Sequence, residues 1–144
     1  MSPERLWLLS IALHRRGHRR LARVLKRLNA ALYRNSLPWT VSVGEHLSLG
    51  NRSLGTVIHS NVEIGDRVSI SHRVTIAVRA GNKAPYKVII EDDVRIGTGV
   101  VVITPHRASL RIGRGAVIGP GAVVNGDVAP GARVCCAPAR MLEP

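Results

Sequence analysis

The chain contains no Phe, and aromatic residues make up only 3% of its 144 residues. This excludes the aromatic stacking platforms on which many single-stranded nucleic-acid modules rely. It also means that any core must be built from Val, Ile, Leu and Ala. There are two cysteines, adjacent at Cys135 and Cys136, so no disulfide framework is expected and a reducing cytoplasmic setting fits. Long apolar runs are missing too. The longest early one, Leu6–Leu13, includes Ser10 and is too short for a membrane span. Glu4 and Arg5 precede it and no small-residue cleavage pattern follows, which argues against a signal peptide. Acidic residues are scarce: 9 Asp and Glu stand against 21 Lys and Arg, a net charge of +12.

That charge is uneven. Residues 1–36 carry nine Lys or Arg and one acid, and so supply +8 of the total. A strongly basic segment points to an anionic partner: nucleic acid, lipid or a phosphorylated small molecule. Residues 4–35 read as helix, broken at Gly17 and ended by Pro38. Leu21, Leu25, Leu28 and Leu32 recur at helical spacing, with Arg19, Arg20, Arg23, Lys26 and Arg27 around them. The plain expectation is a packing stripe with a solvated basic face. The sharper one is a surface for a membrane or an anionic polymer.

Beyond Pro38 the period changes to six. Ile58, Ile64, Ile70 and Ile76 form one series, Ile90, Ile96 and Val102 a second, and Ile112, Ile118 and Val124 a third. Val62, Val68, Val74, Val94, Val100, Ala116, Ala122 and Val128 fall four residues after members of the same rhythm. A large aliphatic, a turn residue and a small aliphatic in each hexad predict a parallel β-helix, in which each coil buries its face only by stacking on the next. The expected organisation is a basic α-helical arm over residues 1–37 and a β-helix over 38–144. The rhythm breaks between Ile76 and Ile90, and again between Val102 and Ile112. The extra residues, in Ala77–Lys87 and Thr104–Ser109, predict loops, where function commonly sits.

Several segments carry a resemblance: Leu54–Ile70, Val74–Ile76, Glu91–Gly99, Ile112–Val124 and the closing Ala137–Arg140. Together with the helical lead-in they are similar to the hexapeptide-repeat acyltransferases, and most of all to the serine acetyltransferase branch. The resemblance implies a mainly β, left-handed parallel β-helix, a homotrimer with active sites between subunits, and transfer of an acetyl group from acetyl-CoA to a hydroxyl. The acceptor would be serine, a sugar or a related metabolite. It implies cofactor contacts from Gly97, Thr98, Gly99, Pro120 and Arg140, although Pro120 has no N–H to donate. It implies no cysteine synthase complex, since the chain ends in Pro144 rather than Ile.

The family's chemistry uses a histidine as general base, and a side chain that titrates near neutrality suits that task. The first histidine position of the family falls at Asn51 or Arg52, and the second within Ala77–Lys87, which has none. His72 is the preferred substitute, because its spacing puts it in the column of Asn51 one coil away. His59, at a turn, and His106, in the second loop, are further candidates.

Two other readings compete. The γ-class carbonic anhydrases share this fold, and Val57–His59 and Ile70–His72 resemble two of their zinc-ligand strands. The third ligand would fall at Ala77, so His106 would have to substitute. A non-catalytic scaffold binding an anionic partner is the other. Nucleic acid is not favoured, since no helix-turn-helix, zinc-finger or RNP pattern accompanies the charge. The Asp92-Asp93 pair reads as a turn cap rather than a catalytic dyad. Cys136 is expected either to crowd the cofactor's end or to be buried and inert.

Overall fold

The computed structural model describes residues 1–79 and 85–137. Two helices come first, α1 (Pro3–Arg15) and α2 (Arg19–Tyr33). Ser2 caps α1 by accepting from the Arg5 N–H, and Pro3 occupies the first turn, where its missing donor costs nothing. Gly17, at φ 87°, makes the reversal that an L side chain resists. The two helices pack closely because α2 turns small Ala22 toward α1, whose Ser10 hydroxyl donates to the Ala22 carbonyl at 2.9 Å.

Thirteen short strands follow: β1 (Ser42–Val43), β2 (Ser48–Leu49), β3 (Val57–Ile58), β4 (Val62–Ile64), β5 (Ser69–Ile70), β6 (Thr75–Ala77), β7 (Val88–Ile90), β8 (Arg95–Ile96), β9 (Val101–Ile103), β10 (Leu110–Ile112), β11 (Val117–Ile118), β12 (Val123–Val124) and β13 (Arg133–Val134). Among the described residues every pairing is parallel, and each strand bonds to the one three places on, except that β11 pairs with β13. They make three sheets, β1-β4-β7-β10, β2-β5-β8-β11-β13 and β3-β6-β9-β12. The chain therefore winds as a three-sided solenoid, one strand per side per coil. This is the parallel β-helix expected from the period of six.

The hexads explain the winding. Ile58, Ile64, Ile70 and Ile76, and their counterparts in the later coils, point inward and are buried, as are all eight residues of the second series. Each buried Val or Ile stabilises by roughly 1.5–3 kcal/mol relative to exposure, so stacked aliphatics replace the missing aromatics. Trp7 and Ile11 of α1 join this same apolar cluster, and the Trp7 indole donates to the Pro38 carbonyl at 2.8 Å. Ser36 already bridges to Val57, so solenoid pairing starts before Pro38. The helical arm closes the first coil rather than standing apart from it.

One expectation fails on α2. Leu21, Leu28 and Leu32 face solvent, and the buried residues of the helix are Ala22 and Asn29. The close approach to α1 selects the small side of the helix. Asn29 lies inside because its amide donates to the Pro3 carbonyl at 3.0 Å and accepts from Asn35.

Candidate active-site corner

The three corners of the solenoid differ in chemistry. At the first, after β4, β7 and β10, carboxylates cap the backbone. Asp66 accepts from the Glu45 N–H at 2.7 Å, and Asp92 accepts from the Asp66 N–H at 3.0 Å. Arg67 pairs with Asp93, Arg111 with Glu91 and Arg114 with Asp92. The Arg67 guanidinium holds the Asp93 carboxyl below its ordinary range, while Arg111 and the Arg114 N–H do the same for Glu91. Asp92 and Asp93 thus serve as turn caps and ion-pair partners, as their sequence context suggests.

The second corner follows β2, β5, β8, β11 and β13. The register Leu49–Ile70–Ile96–Ile118–Val134 places Asn51, His72, Thr98, Pro120 and Cys136 in one column, each two residues past its strand. Asn51 Nδ2 lies 2.9 Å from His72 Nδ1, and the Thr98 hydroxyl lies 3.4 Å from the same nitrogen. With the amide nitrogen toward the ring, Nδ1 accepts and the ring proton sits on Nε2. An amide has nearly the same shape when turned over. Its oxygen then accepts from Nδ1–H and leaves the Nε2 lone pair free. Only the second arrangement makes His72 a base at its outer nitrogen.

Asn51 reaches this position through an unusual turn. Asn51, Arg52 and Ser53 all have positive φ, at 45°, 57° and 53°. Each non-glycine residue in this region costs roughly 1–2 kcal/mol. Buried groups hold the turn. Asn35 Nδ2 donates to Ser53 Oγ at 2.7 Å and to Asn29 Oδ1 at 3.2 Å, tying the turn to α2. Nothing in the residue types Asn-Arg-Ser announces such a turn, and this network went unseen in the sequence.

The expected cofactor contacts fall on this corner, with much of their backbone already engaged. Gly97 N–H donates to the Ile118 carbonyl, and Gly99 N–H to the His72 carbonyl. The Thr98 carbonyl accepts from Gly121, and the Pro120 carbonyl from the Cys136 thiol at 3.2 Å. The Thr98 hydroxyl is the side-chain group that these turns direct toward His72. A Cβ at Gly97 would come 2.7 Å from Pro120 N, so glycine there serves coil stacking; at Gly99 a Cβ would meet nothing within 4 Å. Arg140 lies outside the described residues, as does part of the Ala77–Lys87 loop. Cys135 and Cys136 are exposed rather than buried.

The third corner, after β3, β6 and β9, carries His59 and both interruptions of the period. They meet there: Thr104, buried, accepts from the Arg79 N–H at 2.9 Å, and Ser109 accepts from the Lys87 N–H at 3.1 Å. His59 Nδ1 accepts from the Asn61 N–H at 3.1 Å, a local turn bond. His106 is exposed two coils further on. Within one chain, then, His72 stands apart from His59 and His106. Among the described residues no three His, Cys, Asp or Glu side chains converge as a metal site.

Both the fold and the sequence have counterparts among known proteins. The architecture is the hexapeptide-type parallel β-helix of acyltransferases. No protein-family model matches the chain. It is 30% identical over 122 residues to a serine acetyltransferase of Bacillus pumilus, covering 85% of this chain and 54% of that one. Its structure is similar to that of the Neisseria gonorrhoeae serine acetyltransferase in complex with serine, with a TM-score of 0.82, 27% identity, and 96% and 55% of the two chains covered. The Brucella abortus serine acetyltransferase in complex with coenzyme A shares the fold, with a TM-score of 0.80 at 23% identity, covering 94% of this chain and 52% of that one. The chain spans about half the length of these relatives. The likeness in sequence and in fold is to the serine acetyltransferase branch of the hexapeptide-repeat acyltransferases.

Proposed function

We propose that the chain transfers an acetyl group from acetyl-CoA to the hydroxyl of a small metabolite, with serine the first candidate acceptor and His72 the general base. The observation that carries this reading is the Asn51–His72 pair, at 2.9 Å, on the open corner of a solenoid similar to serine acetyltransferases. Acetyl-CoA supplies the activated acetyl group. His72 Nε2 takes the hydroxyl proton as the oxygen attacks the thioester carbonyl. The carbon–sulfur bond then breaks, and the proton passes from His72 to the departing thiolate. Asn51, accepting from Nδ1–H, holds the ring in the tautomer this requires and steadies the imidazolium that forms. The Thr98–Gly99 and Pro120–Gly121 turns are the surface along which the thioester arm would lie.

Assembly as a homotrimer is part of the same reading. The outward column of the third sheet, Val57, Thr75, Val101 and Val123, carries no charge, with Val123 65% exposed. The outward column of the first sheet, Ser42, Glu63, Ile89 and Arg111, carries both signs. An uncharged apolar face is the one suited to packing against a second copy. A cytoplasmic setting without disulfides, and no role for nucleic acid, complete the proposal.

The test is thiol release from acetyl-CoA in the presence of serine and a panel of sugars and hydroxylated metabolites. Acceptor-dependent release supports the reading. No release with any acceptor, together with no acetyl-CoA binding by calorimetry, overturns it.

A further inference from the structure

The α2 helix has three faces, and only one is covered. Ala22 and Asn29 pack inward, as does Lys26, whose ammonium lies 5.2 Å over the Trp39 ring. A second face carries Arg19, Arg20, Arg23 and Arg27, all exposed. The third is apolar and open: Leu21, Val24, Leu28 and Leu32 are 55%, 58%, 43% and 59% exposed. At its end, Leu32 lines one shallow cleft with Leu54, Asn51 and Arg52, so the apolar strip runs up to the His72 corner.

We infer that this face docks on an anionic lipid surface. A helix with leucines on one side and arginines alongside lies in the plane of a bilayer interface, with apolar side chains among the acyl ends and guanidinium groups at the phosphates. Among the described residues no helix is long and apolar enough to cross a membrane, and the helix therefore lies on it. Charge selects lipid over a second copy of the chain. Residues 19–33 contain no Asp or Glu, and none of the salt bridges among the described residues reaches α2. Two such helices face to face would bring unpaired arginine rows together. The leucines select lipid over nucleic acid, because a phosphate backbone gives exposed leucines nothing to bury against. Docking sets the His72 corner beside the headgroups, but it stands or falls independently of turnover.

The experiment is co-sedimentation of the full chain with vesicles of equal parts phosphatidylglycerol and phosphatidylcholine, against phosphatidylcholine alone. Binding to the anionic vesicles is expected, weakened by salt. Replacing Arg20 and Arg27 with Gln should lower partition about thirtyfold, given the contribution of each basic residue at such a surface. Leu28→Ser with Leu32→Ser should lower it by about tenfold or more. All four positions are exposed, and unchanged circular dichroism confirms that the variants fold. Equal binding to neutral vesicles, no binding to either, or anionic binding indifferent to the leucine changes overturns the proposal. So does equal affinity for duplex DNA, or leucine variants that dissociate the oligomer while vesicle binding persists.

Discussion

Asn51 and His72 are 21 residues apart in sequence, yet they stack on adjacent coils with side-chain nitrogens 2.9 Å apart. The resemblance to the acyltransferases puts the family's first histidine at Asn51 or Arg52, and His72 lies one coil along the column of Asn51. In the proposed reaction His72 is the base and Asn51 its orienting partner. Asn51 is a positioning residue in this account. Asn51→Ala should lower kcat about tenfold to a hundredfold and leave KM for acetyl-CoA within about twofold, since the loss falls on the oriented base. Asn51→Asp should recover most of kcat, because a carboxylate also accepts from Nδ1–H. A merely structural role would move KM and thermal stability together.

The turn that delivers Asn51 stores backbone strain. Arg52, exposed and at φ 57°, makes no hydrogen bond through its side chain among the described contacts. Arg52→Gly should raise stability by about 1 kcal/mol, read as a higher urea midpoint at fixed protein concentration. Ser53→Ala should do the opposite by about 1–3 kcal/mol, because it leaves one of the two Asn35 amide N–H groups without its partner inside the protein while the bond to Asn29 remains.

Gly97 and Gly99 look alike in sequence and differ in the fold. Gly97→Ala should destabilise by about 1–3 kcal/mol or more, since the new methyl meets Pro120 backbone 2.7 Å away. Gly99→Ala meets open space, and its cost is the strain of a side chain at φ +69°, about 1 kcal/mol. Chemical denaturation of the two variants side by side separates crowding from conformation.

These contrasts show which parts of the molecule could be read in advance. The inward residues were legible because each coil repeats the same three sides, so Ile70 and Ile96 announce one another at a distance. The column arithmetic that paired Asn51 with His72 worked for the same reason. The α2 stripe was misread because periodicity reveals an apolar face without saying whether anything covers it. Ala22, a small residue on the opposite side, was the feature that decided the packing. The Asn29–Asn35–Ser53 network joins the arm to the first coil, where no repeat exists to extrapolate from.

Acid should loosen the first corner. Glu91 and Asp93 have carboxyls lowered in the fold by Arg111 and Arg67, so their contribution is complete above their unfolded values, near pH 4. It is lost as pH falls through the lower folded values. The difference in urea midpoint between the wild type and an Arg67→Gln, Arg111→Gln variant should therefore shrink on going from about pH 6 to about pH 3. A difference that stays constant would show that these pairs do not contribute.

The most direct test of the account is His72→Gln, measured for acetyl-CoA binding by calorimetry and for acceptor-dependent thiol release on the same preparation. The account predicts binding close to that of the wild type and a kcat lowered about a hundredfold to ten-thousandfold. Full turnover by the variant would contradict it and remove His72 from the chemistry.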